Sequence, residues 1–183
     1  MERCVEEELW THPAESSHAL KRIDVRVCRR TETSLSFLYV AIGRIEGIVV
    51  PPPAPPLRTD NLWKTTCFEA FLQAEGENNY RELNFSPSGQ WAAYEFDDHR
   101  TGMTQAALPA PPEIALILAD DRLELRVTLA IDLPREPCRL GLSAVIDEKV
   151  GPKSLWALDH KGSVPDFHRA DCFTLELPPP PAP

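Results

Sequence analysis

Proline divides this chain of 183 residues into segments that suit short strands better than long helices. Most of the 19 prolines fall in three clusters, at 51–56, 109–112 and 178–183. Because proline has no backbone N–H to give to a sheet ladder, each cluster predicts a loop, a linker or a tail. The segment before the first cluster holds only two good strands, too few for an independent core. We therefore predict one domain over 1–177 and a disordered Pro-rich tail over 178–183.

Between these clusters, apolar and polar residues alternate with the period of a β-strand. Two of the segments flank the turn Pro87-Ser88-Gly89, and two others flank Ala119-Asp120-Asp121, so each pair predicts a hairpin. About nine short strands without a helix predict an all-β fold, a two-sheet antiparallel β-sandwich. The predicted strands are 23–28, 35–42, 66–72, 80–86, 90–96, 113–118, 122–131, 139–146 and 171–177.

Composition argues against several classes of partner. The net charge of −9 comes without a stripe of Lys and Arg, so we expect no nucleic acid partner. The longest apolar run, 35–42, is too short to cross a bilayer, so we expect no membrane partner. The N-terminus has no apolar stretch typical of a signal peptide. The 5 cysteines are odd in number and lack a CxxC pair, so we expect neither a disulfide framework nor a zinc site. These features together predict a cytoplasmic location.

The predicted strand 80–86 has two faces of different character. Its alternation places Leu83 and Phe85 on one face, where we expect them to pack into the core. Tyr80, Glu82 and Asn84 share the other face, and their hydrogen-bonding groups suit a ligand rich in hydroxyls. Sequence alone leaves two interpretations open for this polar face: a solvated outer surface, or one wall of a binding site.

A carboxylate and two indoles add to these candidates. Glu69 lies inside the apolar run 67–72, where burial is costly unless the carboxylate is paired with an Arg or faces a pocket. Trp63 lies in a turn-like segment and Trp156 in an irregular one, and an indole outside a strand either caps a core or offers its face to a ligand. Trp10 and Trp91 are expected to serve in packing.

Several runs resemble the DOMON-like bacterial proteins, which are related to the carbohydrate-binding modules of family nine. This resemblance implies a β-sandwich in which two Trp side chains hold a sugar ring while nearby charged side chains take its hydroxyls. By the same resemblance, Trp63 and Glu69 correspond to the first Trp and the carboxylate that follows it, and Trp156 to the second Trp. The runs that carry the resemblance are 60–64, 67–71, 80–89, 91–103, 156–160 and 165–168.

Together these features predict a non-catalytic module that binds a carbohydrate or a similar small polar ligand, without a metal or other cofactor. Trp63 and Trp156 are expected to stack on the ligand. The hydroxyls of the ligand are expected to meet the polar groups of the middle strands, with further side chains at the rim. These polar and rim residues are Glu69, Glu82, Asn84, Arg100, His160 and His168.

Two alternative functions remain open at the level of sequence. Haem-binding DOMON relatives hold iron through Met with His or Lys, and here Met103 lies close to His99, with further candidates in His160, Lys161 and His168. A carboxylate-dependent hydrolase would use Glu69 and Glu82 as its acid/base pair, if the two carboxyl groups have the required separation.

Overall fold

The computed structural model describes residues 3–133 and 137–177. Their regular structure is β-strand, apart from three single turns of 3-10 helix at Ile45–Gly47, Leu62–Lys64 and Ala170–Cys172. The predicted all-β class is therefore confirmed. The strands are β1 (Arg3–Thr11), β2 (Leu20–Thr31), β3 (Ser34–Gly43), β4 (Cys67–Ala74), β5 (Tyr80–Phe85), β6 (Trp91–Phe96), β7 (Thr104–Gln105), β8 (Glu113–Leu118), β9 (Arg122–Ala130), β10 (Cys138–Ile146), β11 (Ser154–Ala157) and β12 (Leu175–Glu176).

These strands form one continuous, curled antiparallel sheet in the order β7-β6-β5-β4-β10-β11-β1-β2-β3-β9-β8, with β12 paired to β10. Strand β1 makes the sheet continuous, because it pairs with β2 as far as Leu9 and then with β11 through Trp10 and Thr11. We call β2, β3, β9 and β8 the first half of the sheet, and β7, β6, β5, β4, β10 and β11 the second half. The sequence predicted two separate sheets, whereas the structure joins both halves through this one strand.

The two halves pack against each other across the main core. The ring of Phe37 on β3 lies 5.7 Å from that of Phe85 on β5, and the ring of Tyr39 lies 5.0 Å from that of Phe68 on β4. The buried Tyr39 hydroxyl donates a 2.9 Å hydrogen bond to the backbone oxygen of Glu69. Leu83 and Phe85 are both fully buried in this core, as their alternation predicted.

Sequence patterns found most of the strands but missed two that matter for the sheet. Both predicted hairpins are present, as β5–β6 and β8–β9. Strand β1 was missed because most of its side chains are exposed, including Glu6 and Glu7, so its apolar alternation is weak. Strand β11 has only four residues. The predicted strand 171–177 is largely a turn, Ala170–Cys172, followed by the short β12. The predicted tail, 178–183, lies outside the described residues.

A disulfide joins Cys4 on β1 to Cys28 on β2. The expectation that the cysteines form no disulfide is wrong on this point. The two residues are directly opposite in the antiparallel register, which brings their side chains together, and cysteine spacing alone does not reveal such a register. Cys67 and Cys172 are buried thiols. The cytoplasmic location stays a prediction.

No helix within residues 3–133 and 137–177 combines the length and the apolar character that crossing a membrane requires.

Candidate functional site

The outer face of the second half of the sheet carries a second apolar cluster, separate from the main core. It includes Leu62, Phe71, Tyr80, Phe96 and Phe173. Loops that follow β3, β6 and β11 cover this face, so its polar side chains are not solvated. On β5, Glu82 and Asn84 keep only 7% and 1% of their surface exposed. The sequence left open whether the polar face of 80–86 is a solvated surface or one wall of a binding site. The burial of Glu82 and Asn84 excludes a solvated surface.

A cavity of about 840 Å³ opens beside this cluster. Its walls combine aromatic rings with carboxylates and cationic side chains, a mixture suited to a ligand with both apolar and polar surfaces. The lining residues are Asp60, Asn61, Trp63, Glu69, Glu82, Tyr94, Phe96, Arg100, Met103, Thr104, Gln105, Val145, Lys153, Leu155, Pro165, Phe167 and His168.

A smaller hollow of about 480 Å³ lies next to it, on the other side of Phe96. It contains the Arg81–Glu95 ion pair, in which Arg81 donates over 2.9 Å, but its described lining residues include no exposed aromatic ring comparable to Trp63 in the larger cavity. The larger cavity is therefore the better candidate for a binding site.

Trp63 is presented to the cavity by the short helical turn Leu62–Lys64. The turn starts at Asn61, whose φ of 64° is left-handed, a conformation that Asn adopts more readily than most residues. Leu62 is buried in the second apolar cluster and anchors the turn. The next side chain, Trp63, points outward and keeps 50% of its surface exposed. This ring is not enclosed by the core and is free to contact a ligand.

Glu69 lies on β4 with its side chain on the outer face, and it is 4% exposed. Its register partners are Asn84 on β5 and Ser143 on β10. The Ser143 hydroxyl donates a 2.9 Å hydrogen bond to Oε2 of Glu69. The sequence left open whether Glu69 pairs with an Arg or faces a pocket. No Arg pairs with Glu69 among the described residues, and its side chain lines the cavity.

Glu82 lies diagonally across the β4–β5 ladder from Glu69, close enough for the two carboxyl groups to interact. Asn84 does not line the cavity but orients Glu82, donating from Nδ2 to Oε1 over 2.7 Å. Burial, reinforced by the neighbouring charge of Glu82, raises the pKa of Glu69 to about 8 against the opposing effect of the Ser143 hydrogen bond. Burial also raises the pKa of Glu82, although its bond from Asn84 opposes the shift. The cavity therefore contains a carboxyl group that is protonated near neutral pH.

His168 is held against this pair by a chain of hydrogen bonds. The backbone N–H of Arg100 donates to the Tyr80 hydroxyl over 3.2 Å, and the oxygen of that hydroxyl lies 2.7 Å from Nδ1 of His168. These contacts place Nδ1 of His168 at the Tyr80 hydroxyl and Nε2 at 3.6 Å from Oε2 of Glu82. Burial lowers the pKa of His168 to about 4, with a further decrease from the charge of Arg100, in agreement with a neutral ring.

Asp166 ties the loop that carries His168 to the loop after β6. Its Oδ1 accepts from the Arg100 guanidinium at 2.8 and 3.1 Å, and its Oδ2 lies 2.8 Å from Nε2 of His99. The same Oδ1 accepts the backbone N–H of His168 over 3.2 Å. The structure places a locking network at Asp166 and His168 at the cavity wall.

Besides Asn84, two more of the residues predicted for the site do not line the cavity. Trp156 points from β11 into the main core, is 5% exposed, and donates from Nε1 to the Ser154 hydroxyl over 3.0 Å. Its neighbour Leu155 faces the cavity instead, because successive strand residues point to opposite faces. His160 is bonded through Nε2 to the backbone oxygen of Trp10 over 2.8 Å. The structure brings together Trp63, Glu69, Glu82, Arg100 and His168, with Asn84 behind Glu82.

Several lining residues were not anticipated from the sequence. Tyr94 lies opposite Glu82 in the β5–β6 hairpin, and its hydroxyl donates to Asp60 over 2.7 Å. Burial, strengthened by that bond, raises the pKa of Tyr94. The sequence could have predicted the position of Tyr94. If Phe85 pairs with Trp91 across the predicted turn, the hairpin register places Tyr94 opposite Glu82. Phe167 reaches the cavity from an irregular loop, for which no comparable signal exists.

The residues proposed for haem do not fit that ligand. Met103 and His168 both line the cavity, but Nδ1 of His168 is hydrogen-bonded to the Tyr80 hydroxyl and its Nε2 faces Glu82. His99 and His160 also use their Nε2 atoms in contacts with Asp166 and the Trp10 backbone. An axial His needs a free imidazole nitrogen directed at the iron. Of these three histidines only His168 lines the cavity, and both of its ring nitrogens face protein groups.

Comparison with known proteins shows the fold. No protein-family model and no curated protein matches the chain. A similar solved structure is that of a candidate carbohydrate-binding protein from Bacteroides uniformis, with a TM-score of 0.68. The match covers 92% of this chain and 83% of that one at 12% sequence identity. The chain thus shares the all-β fold of that protein.

Proposed function

We propose that this protein is a non-catalytic binding module for a carbohydrate or a similar small polar molecule. One observation carries the proposal: the half-exposed ring of Trp63 borders a large cavity that also holds the buried carboxyl groups of Glu69 and Glu82. Sugar rings present apolar C–H patches to an aromatic face and hydroxyls to polar groups, and this cavity offers both surfaces.

The polar groups of the cavity can both donate and accept hydrogen bonds, as recognition of hydroxyls requires. With its pKa at about 8, Glu69 is mostly protonated at neutral pH, so it donates as well as accepts. Arg100 and Lys153 add donors. Asn84 and Ser143 hold the two carboxyl groups in place, which lowers the entropy lost when a ligand binds.

We also propose that the curled sheet is the β-sandwich of the DOMON-like proteins. The spacing of Trp63 and Glu69 supports this proposal, as does the fold shared with the candidate carbohydrate-binding protein of B. uniformis. Trp156 is left out of the proposed site, because it packs in the core. Tyr94 and Phe167 take its place as the further aromatic walls.

The carboxylate pair also favours a second candidate, a glycoside hydrolase with a protonated Glu69 as the acid. Environments that keep one carboxyl protonated beside another are typical of such enzymes. A turnover assay with nitrophenyl glycosides separates the two candidates. Binding without turnover supports the module, whereas turnover that disappears in Glu69→Gln supports the hydrolase.

Titration calorimetry with glucose, galactose, mannose, maltose and cellobiose tests the binding function. We expect saturable binding of at least one sugar and a change in Trp fluorescence on binding. An absorption spectrum of the same preparation tests for haem, which we expect to be missing. If no sugar in an extended glycan panel binds, the proposed function is wrong.

A further inference from the structure

The carboxyl groups of Glu69 and Glu82 lack a cationic partner in the protein. Among the described residues, neither side chain is paired with a Lys or an Arg, and the basic group nearest to Glu82 is the neutral His168 at 3.6 Å. Glu69 is bonded by Ser143 at Oε2 only, and its Oε1 accepts no hydrogen bond from the described residues. That oxygen belongs to a side chain that is 4% exposed and lines the cavity, so a ligand in the cavity can reach it.

The two cationic side chains that line the cavity are held by other groups. The guanidinium of Arg100 donates to Asp166 through both Nε and Nη2. The ammonium of Lys153 donates to the backbone oxygen of Lys64. Although Arg100 lowers the pKa of both Glu69 and Glu82, it does not outweigh their burial. Lys153 keeps its charge, because a backbone oxygen does not neutralise an ammonium group, but neither cation forms an ion pair with Glu69 or Glu82 among the described residues.

A cation from outside would give these two carboxyl groups the ionic partner that they lack. Burying a carboxylate is costly unless a positive group pairs with it, and the cost is greater for two carboxylates side by side. Trp63 and Tyr94 add little to this attraction, because Lys64 already lies over the Trp63 ring and Arg58 over the Tyr94 ring, 5.9 and 5.1 Å from the ring centres. The attraction for a cation therefore comes from Glu69 and Glu82.

We infer that the ligand is a sugar that carries a protonated amine, an amino sugar, whose ammonium group lies between the carboxylates of Glu69 and Glu82. This inference rests on the proposed function, since the ring of the sugar still stacks on Trp63 and its hydroxyls still meet polar groups. A bare metal ion does not fit as well, because the described residues contain no group of three or more side chains arranged to hold one. The volume of about 840 Å³ suits a sugar rather than an ion.

Binding of an ammonium group should displace a proton from the carboxyl pair. At neutral pH Glu69 holds a proton, and a cation favours the charged form of the carboxyl group, so the proton leaves when the amino sugar binds. A neutral sugar causes no such release. The groups that face Glu69 in the cavity, and that take part in the same balance of charge, are Glu82, Asp60, Tyr94, Arg100, Lys153 and His168.

Calorimetry with matched sugars tests this inference on the intact protein. Glucosamine is compared with glucose and N-acetylglucosamine, and galactosamine with galactose, at pH 6.5 in two buffers of different ionisation enthalpy. We expect the amine to bind about tenfold more tightly or better, the effect of one charge-assisted hydrogen bond, with proton release to the buffer. N-acetylglucosamine, which has lost the charge, should show neither effect.

Three variants identify the group responsible. Glu69→Gln and, separately, Glu82→Gln should remove the preference for the amine, while Glu113→Gln on the exposed edge strand β8 should keep it. If neutral sugars bind as tightly as their amines, or if the preference survives in both cavity variants, the inference is wrong and the carbohydrate module stands. If no sugar of either kind binds, the proposed function fails together with the inference. The comparison of amine with neutral sugar in the unchanged protein needs no variant to fold.

Discussion

Replacing Trp63 with Ala removes the largest exposed ring at the cavity. Half of this side chain is exposed in the ligand-free protein. Since a Trp buries roughly 200 Å² when fully covered, a sugar stacked on Trp63 would cover about 100 Å² of it. At ~25 cal/mol per Å², the covered area contributes about 2.5 kcal/mol, or roughly sixtyfold in Kd. We expect a loss of affinity of about ten- to sixtyfold, because a sugar covers only part of the exposed ring.

Trp10 provides a matched control for this experiment. It is 58% exposed, close to the value for Trp63, and its register partner Ala157 places it on the same outer face of the sheet. Trp10 does not line the cavity. Trp10→Ala should therefore lower stability by an amount similar to Trp63→Ala, while leaving sugar affinity unchanged.

The assay is titration calorimetry of both variants with the tightest-binding sugar, alongside thermal unfolding. The reasoning is refuted if both variants lose the same affinity, or if Trp63→Ala binds as the unchanged protein does. Collapse of the fold in Trp63→Ala alone would mean that the ring belongs to the core, in contradiction to its exposure.

Four further outcomes are expected. Trp156→Ala should lower the free energy of unfolding by about 3–5 kcal/mol, measured by urea denaturation, with the affinity of the folded protein unchanged. Folding raises the pKa of Glu69 from 4.5 to about 8, so its contribution to stability is complete below pH 4.5 and is lost as pH rises through 8. Denaturation at pH 5, 7 and 9 should show this decline in stability, and the decline should be smaller in Glu69→Gln. Tyr80→Phe leaves Nδ1 of His168 without its hydrogen-bond partner and should cost about 1–3 kcal/mol in the same assay. Reduction of the Cys4–Cys28 disulfide should cost about 2–4 kcal/mol of stability. The mass of the protein isolated from cells shows whether the bond forms there. This measurement also tests the cytoplasmic prediction, because disulfides persist mainly in oxidising compartments.

The sequence predicted strands wherever one face is apolar and the other is not. The segment 23–28 alternates clearly, and its odd positions are buried in the core, so its pattern was decisive. Strand β1 gave no such signal, because hydrogen bonds to β2 and β11 position it more than burial of its side chains does. The continuity of the sheet depends on this strand and therefore could not be predicted.

The sequence predicted only part of the candidate site. Glu69 was identified because a carboxylate in an apolar strand needs an explanation. Glu82 was identified because it shares a polar strand face with Tyr80 and Asn84, and Trp63 because its indole lies in a turn-like segment. Placing Trp156 at the ligand depended on the side to which a four-residue strand turns its side chains, and the sequence does not fix that side. Phe167 comes from a loop whose path depends on the bonds of Asp166, a tertiary contact.

Strand β1 exchanges one partner for another between Leu9 and Trp10. A protein that loses this strand, by proteolysis or by design, acquires two unpaired ladders at once, one along β2 and one along β11. Unpaired ladders recruit strands from other chains, and the best match available is β1 of an intact copy. A truncated chain is therefore a natural acceptor for strand exchange, and a synthetic peptide with the sequence of 3–11 should restore it to a monomer.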